Sequence, residues 1–239
     1  MGRNRWITAF LLRDNENLLV TSYIVGKKYE FRFVLSFFLA IFAYIMVKNT
    51  FKQTVILVDA DYADDVAFDL TVNFERMLMR RIPQADLAQW LICVSLDGGV
   101  EEGKNEVQVI FLYGSNREKV RCFAPSWISE IDGQAFKDER MGEFLMSAVR
   151  CEQLAGEDFF VECAEAILSS EDVRTVVLVP DMEKYGANMK TLLTRHVRKK
   201  DITLLTMQPE SGRGFQNELL GYSLMHAMGI RGEEIEKIR

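Results

Sequence analysis

The chain has 239 residues, 49% of them hydrophobic and only four of them proline, which is enough to bury the core of one domain, or of one domain with an appendage, and excludes a disordered chain. Its formal net charge of −6 is unevenly spread: residues 1–50 carry seven Lys or Arg against three Asp or Glu, a net of +4, leaving −10 on the rest. An acidic body repels nucleic acid unless a basic face or bound cations offset it. With only His196 and His226, and four cysteines lacking a CxxC pair, a Ser-His-Asp triad or a zinc site has little to draw on. Cys93, Cys122, Cys151 and Cys163 read instead as reduced core thiols of a cytoplasmic protein.

Residues 1–32 show no clear period. Phe33 to Val47 (FVLSFFLAIFAYIMV) is an unbroken apolar run between Arg32 and Lys48. As a helix it would span about 22 Å, short of the roughly 30 Å hydrocarbon core of a bilayer. Three readings stand: a membrane anchor, a packed helix, or an over-extended gene start in which Met46 is the native first residue. A cleaved signal peptide fits poorly, because the charged lead is long and no A-x-A site follows.

Thr54 to Val58 is almost entirely β-branched and reads as a buried parallel strand ending in Asp59 and Asp61. Val66, Leu70, Phe74, Met77 and Leu78 then recur at helical steps, so a helix is expected over 62–81, started by Asp64 or Asp65 and ended by Pro83. A second helix is expected from Gln84 to Ser95, closed by Asp97-Gly98-Gly99. Val107 to Tyr113 is the second strand, 116–140 is loop-rich, and Phe144 to Val149 fits a short strand or a helix. Asp158 to Leu168 reads as a helix and Thr175 to Val179 as the third strand. A helix over 185–199, a strand over 202–207, a Gly-rich turn at 211–214 and a helix over 215–228, stopped by Gly229, complete the series. Strands alternating with helices predict an α/β fold: one domain over about 52–232 with a mostly parallel sheet of four or more strands, preceded by the extension 1–50 and followed by a charged tail at 233–239.

Two apolar strands end alike, LVDAD at Asp59 and Asp61, and LVPDME at Asp181 and Glu183. If these strands are neighbours, four carboxylates converge where open α/β sheets bind ligands. Such oxygen donors suit Mg²⁺ or Mn²⁺, which could activate a water against a phosphodiester. The plainer alternative makes each acid an N-cap of the following helix.

On these motifs, VDADY (Val58 to Tyr62) and VPDMEKY (Val179 to Tyr185), the chain resembles the PIN-like nuclease superfamily, particularly its NYN branch, which opens with IDGDN and carries a later SGDSDF. The resemblance implies a Rossmannoid domain and a metal-dependent ribonuclease acting on RNA. It implies catalytic roles for Asp59, Asp61 and Asp181, with Mg²⁺ or Mn²⁺ held by these and Glu183. Asp158 or Glu165 in GEDFFVECAEAIL would be a further acidic partner. Tyr62, Pro180 and Glu183 depart from the motifs, which leaves open a catalytically inactive relative used for binding or assembly, a homo-oligomer among its forms. The whole chain also resembles an uncharacterised bacterial family, a domain of unknown function.

A third reading is a haloacid-dehalogenase-like phosphatase, with Asp59 as nucleophile, Asp61 as acid/base, and Ser115 and Lys184 as helpers. The turn Ser211 to Gly214 before a helix could cradle a phosphate but lacks P-loop and dinucleotide spacings, so it reads as ordinary loop. The run Arg195 to Lys200 and the pair Arg80-Arg81 read as solvated helix ends rather than a nucleic-acid groove. His196 is expected at the surface and His226 near the core, while Met77, Met79, Met225 and Met228 read as gap-fillers in or near the core.

Overall fold

The structure is a computed structural model describing residues 9–14, 17–22, 51–114, 116–151, 159–196 and 200–236. It divides into two units, residues 1–50 and residues 51–239. In the first unit, β1 (Ala9–Asp14) and β2 (Asn17–Ser22) form an antiparallel hairpin with Asp14 paired to Asn17. The aperiodic reading of 1–32 missed it, since AFLLRD and NLLVTS lack the alternation that marks a half-buried strand. The apolar run 33–47 and Asp158 lie outside the described residues. Among the described residues no helix is long and apolar enough to cross a membrane.

The second unit runs β3 (Thr54–Asp59), α1 (Ala60–Leu78), β4 (Ala85–Asp86), α2 (Leu87–Asp97), β5 (Asn105–Gly114), β6 (Phe123–Ala124), α3 (Ile128–Ile131), β7 (Ala135–Asp138) and β8 (Gly142–Cys151). It continues through α4 (Phe159–Ser169), β9 (Thr175–Val179), α5 (Met182–Arg195), β10 (Asp201–Thr206), β11 (Gln216–Leu219), α6 (Leu220–Ala227) and α7 (Gly232–Glu236). Seven strands form one sheet in the order β11-β10-β9-β3-β5-β8-β7, with every pair parallel except β7 and β8. The first strand therefore lies mid-sheet. The chain winds outward through β5 and β8, returns to the other flank of β3, and winds outward again through β9, β10 and β11. This is the doubly wound order, whose switch point falls between β3 and β9.

Alternation along β3 explains the layers. Ile56 and Val58 face a core shared with Ala63 and Phe74 of α1, Trp90 and Leu91 of α2 and Leu224 of α6. Val55 and Leu57 are equally buried and point to the opposite face, on which α4 packs against β3 and β9. The short parallel pair β4 and β6 ties the start of α2 to the loop after β5, where Trp90 and Phe123 meet with ring centroids 4.9 Å apart.

Four sequence expectations shift. The first helix begins at Ala60, capped by Asp59 rather than by Asp64 or Asp65, and ends one turn early at Met79, whose φ of +51° is left-handed. Phe144 to Val149 belongs to a ten-residue strand paired along its whole length with β5. The expected helix over 215–228 is split: Gln216–Leu219 adds to the sheet edge, where Asn217 Nδ2 donates to Leu204 O at 3.0 Å and Thr206 Oγ1 at 2.8 Å, and the helix starts at Leu220. The turn 211–214 thus precedes a strand, which removes the helix N-terminus that a phosphate cradle requires.

Candidate functional site

Because β3 and β9 pair in register, Val58 beside Val179, the two acidic motifs do meet at one sheet edge. Each begins a helix. Asp59 Oδ1 accepts from Tyr62 N at 3.0 Å, and Asp181 Oδ1 accepts from Glu183 N at 3.0 Å and Lys184 N at 3.2 Å, so both acids satisfy otherwise orphaned amides.

The second oxygen of Asp59 is occupied as well. Its Oδ2 accepts from the Tyr185 hydroxyl across the switch point. Tyr185 is buried, stacks on Phe160 of α4 with centroids 5.3 Å apart, and departs from helical geometry inside α5 (φ −129°, ψ 18°). Burial raises the Asp59 carboxyl above its usual range; the bonds from Tyr185 and Tyr62 pull it part of the way back, and Asp61 pushes it up. Burial and the Asp59 charge likewise drive the Tyr185 phenol far up, so it stays protonated and donates.

Asp61 turns the other way, toward β5. Its Oδ2 accepts from Gly114 N at 2.9 Å, and Oδ1 stands 3.6 Å from Arg117 Nε, buried and without a hydrogen bond. A Cβ at Gly114 would lie 2.8 Å from that Oδ2, so a larger residue would push the carboxylate aside. Burial raises the Asp61 carboxyl, against the pull of the Gly114 amide and the Arg117 charge. Arg117 spans three acids of α1: Asp61, Asp64 at 3.4 Å, and Asp65, both of whose oxygens accept from Nη2, at 2.8 and 2.9 Å. Asp64 is 1% exposed and also accepts from Cys122 N at 2.7 Å.

Tyr62, Lys184 and Cys151 complete the crevice. Burial, then Asp181, raises the Tyr62 phenol. The Cys151 thiol is pushed up to about 12 by burial and by the Asp59 and Asp61 charges. Lys184 acts electrostatically on both aspartates and lies 5.6 Å above the Tyr185 ring, which brings one proposed helper of the phosphatase reading to the site. The other, Ser115, is outside the described residues.

Glu183 is exposed, and Glu165 is bound elsewhere, by His196 Nε2 at 3.2 Å and Arg195 at 3.8 Å at the far end of α5. His196 is therefore buried rather than at the surface, and His226 is exposed rather than near the core. In the basic run, Lys200 donates to the carbonyls of Ser170 and Val173, while residues 197–199 lie outside the described residues. Arg80 pairs with Glu234 at 2.8 Å and Arg81 with Glu75 at 3.5 Å. Met228 is buried as expected, but Met77 and Met79 are exposed.

An oxygen cage for Mg²⁺ or Mn²⁺ needs several free carboxylate oxygens converging within a few ångströms. Among the described residues no three His, Cys, Asp or Glu side chains group in that way, and three of the four oxygens of Asp59 and Asp61 already accept from protein donors. Sequence reasoning found the acids but not Tyr185, Arg117 or Gly114. Gly114 carried a usable signal, since it ends the buried strand that follows the acidic one.

Fold and site together define a doubly wound α/β domain with acidic residues gathered at its topological switch point. The chain belongs to the family of unknown function DUF6621, whose model matches residues 48–235. No curated protein and no solved structure matches it.

Proposed function

We propose that the chain is a non-catalytic domain of PIN/NYN-like type that works in the cytoplasm by binding and assembly, with its acidic crevice serving as a joint between β3, α1 and α5. The observation that carries this reading is the engagement of both Asp59 oxygens, one by the Tyr62 amide and one by the Tyr185 hydroxyl. A carboxylate held by both donors is fixed in orientation and ties the end of β3 to α1 and α5. Four free thiols accord with a reducing compartment.

A second reading, a Mg²⁺- or Mn²⁺-dependent ribonuclease using Asp59, Asp61, Asp181 and Glu183, is favoured by the pairing of β3 with β9. One experiment separates the two: the purified full chain is incubated with single-stranded RNA and either ion, beside Asp59→Asn. The assembly reading expects the same background level from both proteins. Metal-dependent cleavage by the wild type that vanishes in Asp59→Asn would overturn it.

A further inference from the structure

We infer that the outer face of α1 pairs two copies of this chain across a two-fold axis beside Val72. Of the eight large hydrophobic side chains exposed among the described residues, four lie between positions 68 and 79: Phe68, Val72, Met77 and Met79. Scattered exposed apolar residues are ordinary, whereas a cluster on one element marks a contact surface. Phe68, Val72 and Met79, exposed by 51%, 47% and 88%, follow at steps of four and seven. At 3.6 residues per turn Phe68 and Val72 lie about 40° apart and form one stripe, while Met79 follows the helix end with a left-handed φ and Met77 falls on the other side of the helix.

Charge names the partner. Of the acids in the first ten residues of α1, Asp61, Asp64 and Asp65 are engaged by Arg117, which leaves Asp69 on the outer face, and near the other end Arg76 follows Glu75, itself engaged by Arg81 and the Ile82 amide. A helix with Asp69 toward its start and Arg76 toward its end is complementary to itself when antiparallel, the arrangement an isologous two-fold contact imposes. With the axis between Val72 and Asn73, Val72 meets its own copy and Asp69 faces Arg76 of the other chain. Asp69 makes no ion pair or hydrogen bond among the described residues, and Arg76 reaches only Asn73 Oδ1, at 3.1 Å, so both are free to pair. A one-turn shift would set Arg76 against Asp65, held by Arg117, or Asp69 against Arg80, held by Glu234. One register thus satisfies both the apolar stripe and the free charges.

This inference rests on the assembly reading above, but its residues lie outside the crevice, so loss of the dimer and appearance of RNA cleavage are separate results. Sedimentation equilibrium of the full chain tests it, with circular dichroism confirming that each variant is folded. A reversible dimer is expected. Asp69→Arg and Arg76→Asp should each weaken it about tenfold, since two symmetry-related pairs become repulsive. The double variant should return to within about twofold of wild type. A chain monomeric at all concentrations, a dimer indifferent to the single reversals, or a double variant no tighter than the singles would each overturn the pairing, including in favour of a different protein on this face.

Discussion

Tyr185→Phe isolates the bond on which the reading of the crevice turns. The ring stays stacked on Phe160, so no cavity of aromatic size opens, and only the hydroxyl that donates to Asp59 Oδ2 is lost. A hydrogen bond to an ionised carboxylate contributes about 1.5–3 kcal/mol, one to its neutral form about 0.5–1.5 kcal/mol. The cost of the substitution should therefore depend on the protonation of Asp59. That carboxyl is raised by burial in the folded protein, so between its unfolded and folded pKa values the native state binds more protons and stability falls as pH rises. The Tyr185 bond is the largest influence opposing the rise, and without it the folded pKa climbs further and the destabilised window extends toward neutral pH. Urea denaturation of both proteins should show a deficit of about 2 kcal/mol near neutral pH. This deficit should shrink toward about 1 kcal/mol as pH falls through the folded pKa of Asp59. A deficit of the same size across that range, or none at neutral pH, would show that the phenol does not hold an ionised Asp59.

Gly114→Ala places a methyl 2.8 Å from Asp61 Oδ2 and must displace it, so the Gly114 amide bond should be lost, with a fall of about 1–3 kcal/mol in urea-derived stability. Arg117→Ala removes the guanidinium nearest the buried Asp64 and leaves only Arg121, at 3.7 Å, beside it. The expected loss of about 3 kcal/mol should be largely recovered by adding Asp64→Asn, whose Oδ1 can still accept from Cys122 N, and thermal melts of the single and double variants check the recovery.

How much of this could be read from the sequence depended on the distance over which each feature is determined. The β3 and β9 strands are legible because their short length and β-branched residues favour a buried strand over a buried helix, and both motif positions follow from them. Asp59 as the start of α1 is the plainer of the two readings of the motif, beside a helix start at Asp64 or Asp65. The chain passes from strand to helix with no loop between, so the cap is the last residue of the strand and the acids at 64 and 65 looked equally suitable. The partner of Asp59 was not legible at all, because Tyr185 lies 126 positions away on another helix. It reaches the carboxylate through a local departure from helical geometry that no periodicity announces. Gln216 to Leu219 joins the sheet because β10 offers an edge and Asn217 bonds across to it, a tertiary preference acting on only four residues. Met77 and Met79 were misread for a different reason: helical spacing shows which side chains share a face, but not whether another element covers it.

The cap and ligand-site readings of the acidic motifs are not rivals, since a cap uses one carboxylate oxygen and function depends on the other. At Asp59 the other is closed by Tyr185, whereas at Asp181 one oxygen takes both capping amides and Oδ2 has no hydrogen bond among the described residues. Asp61 is intermediate, with one oxygen on the Gly114 amide and one facing Arg117 without a hydrogen bond. In the crevice Asp61 Oδ1 and Asp181 Oδ2 accept no hydrogen bond among the described residues, and Arg117 and Lys184 offset the local negative charge. A ligand that displaced the Tyr185 hydroxyl from Asp59 would have to return about 1.5–3 kcal/mol before showing any net affinity.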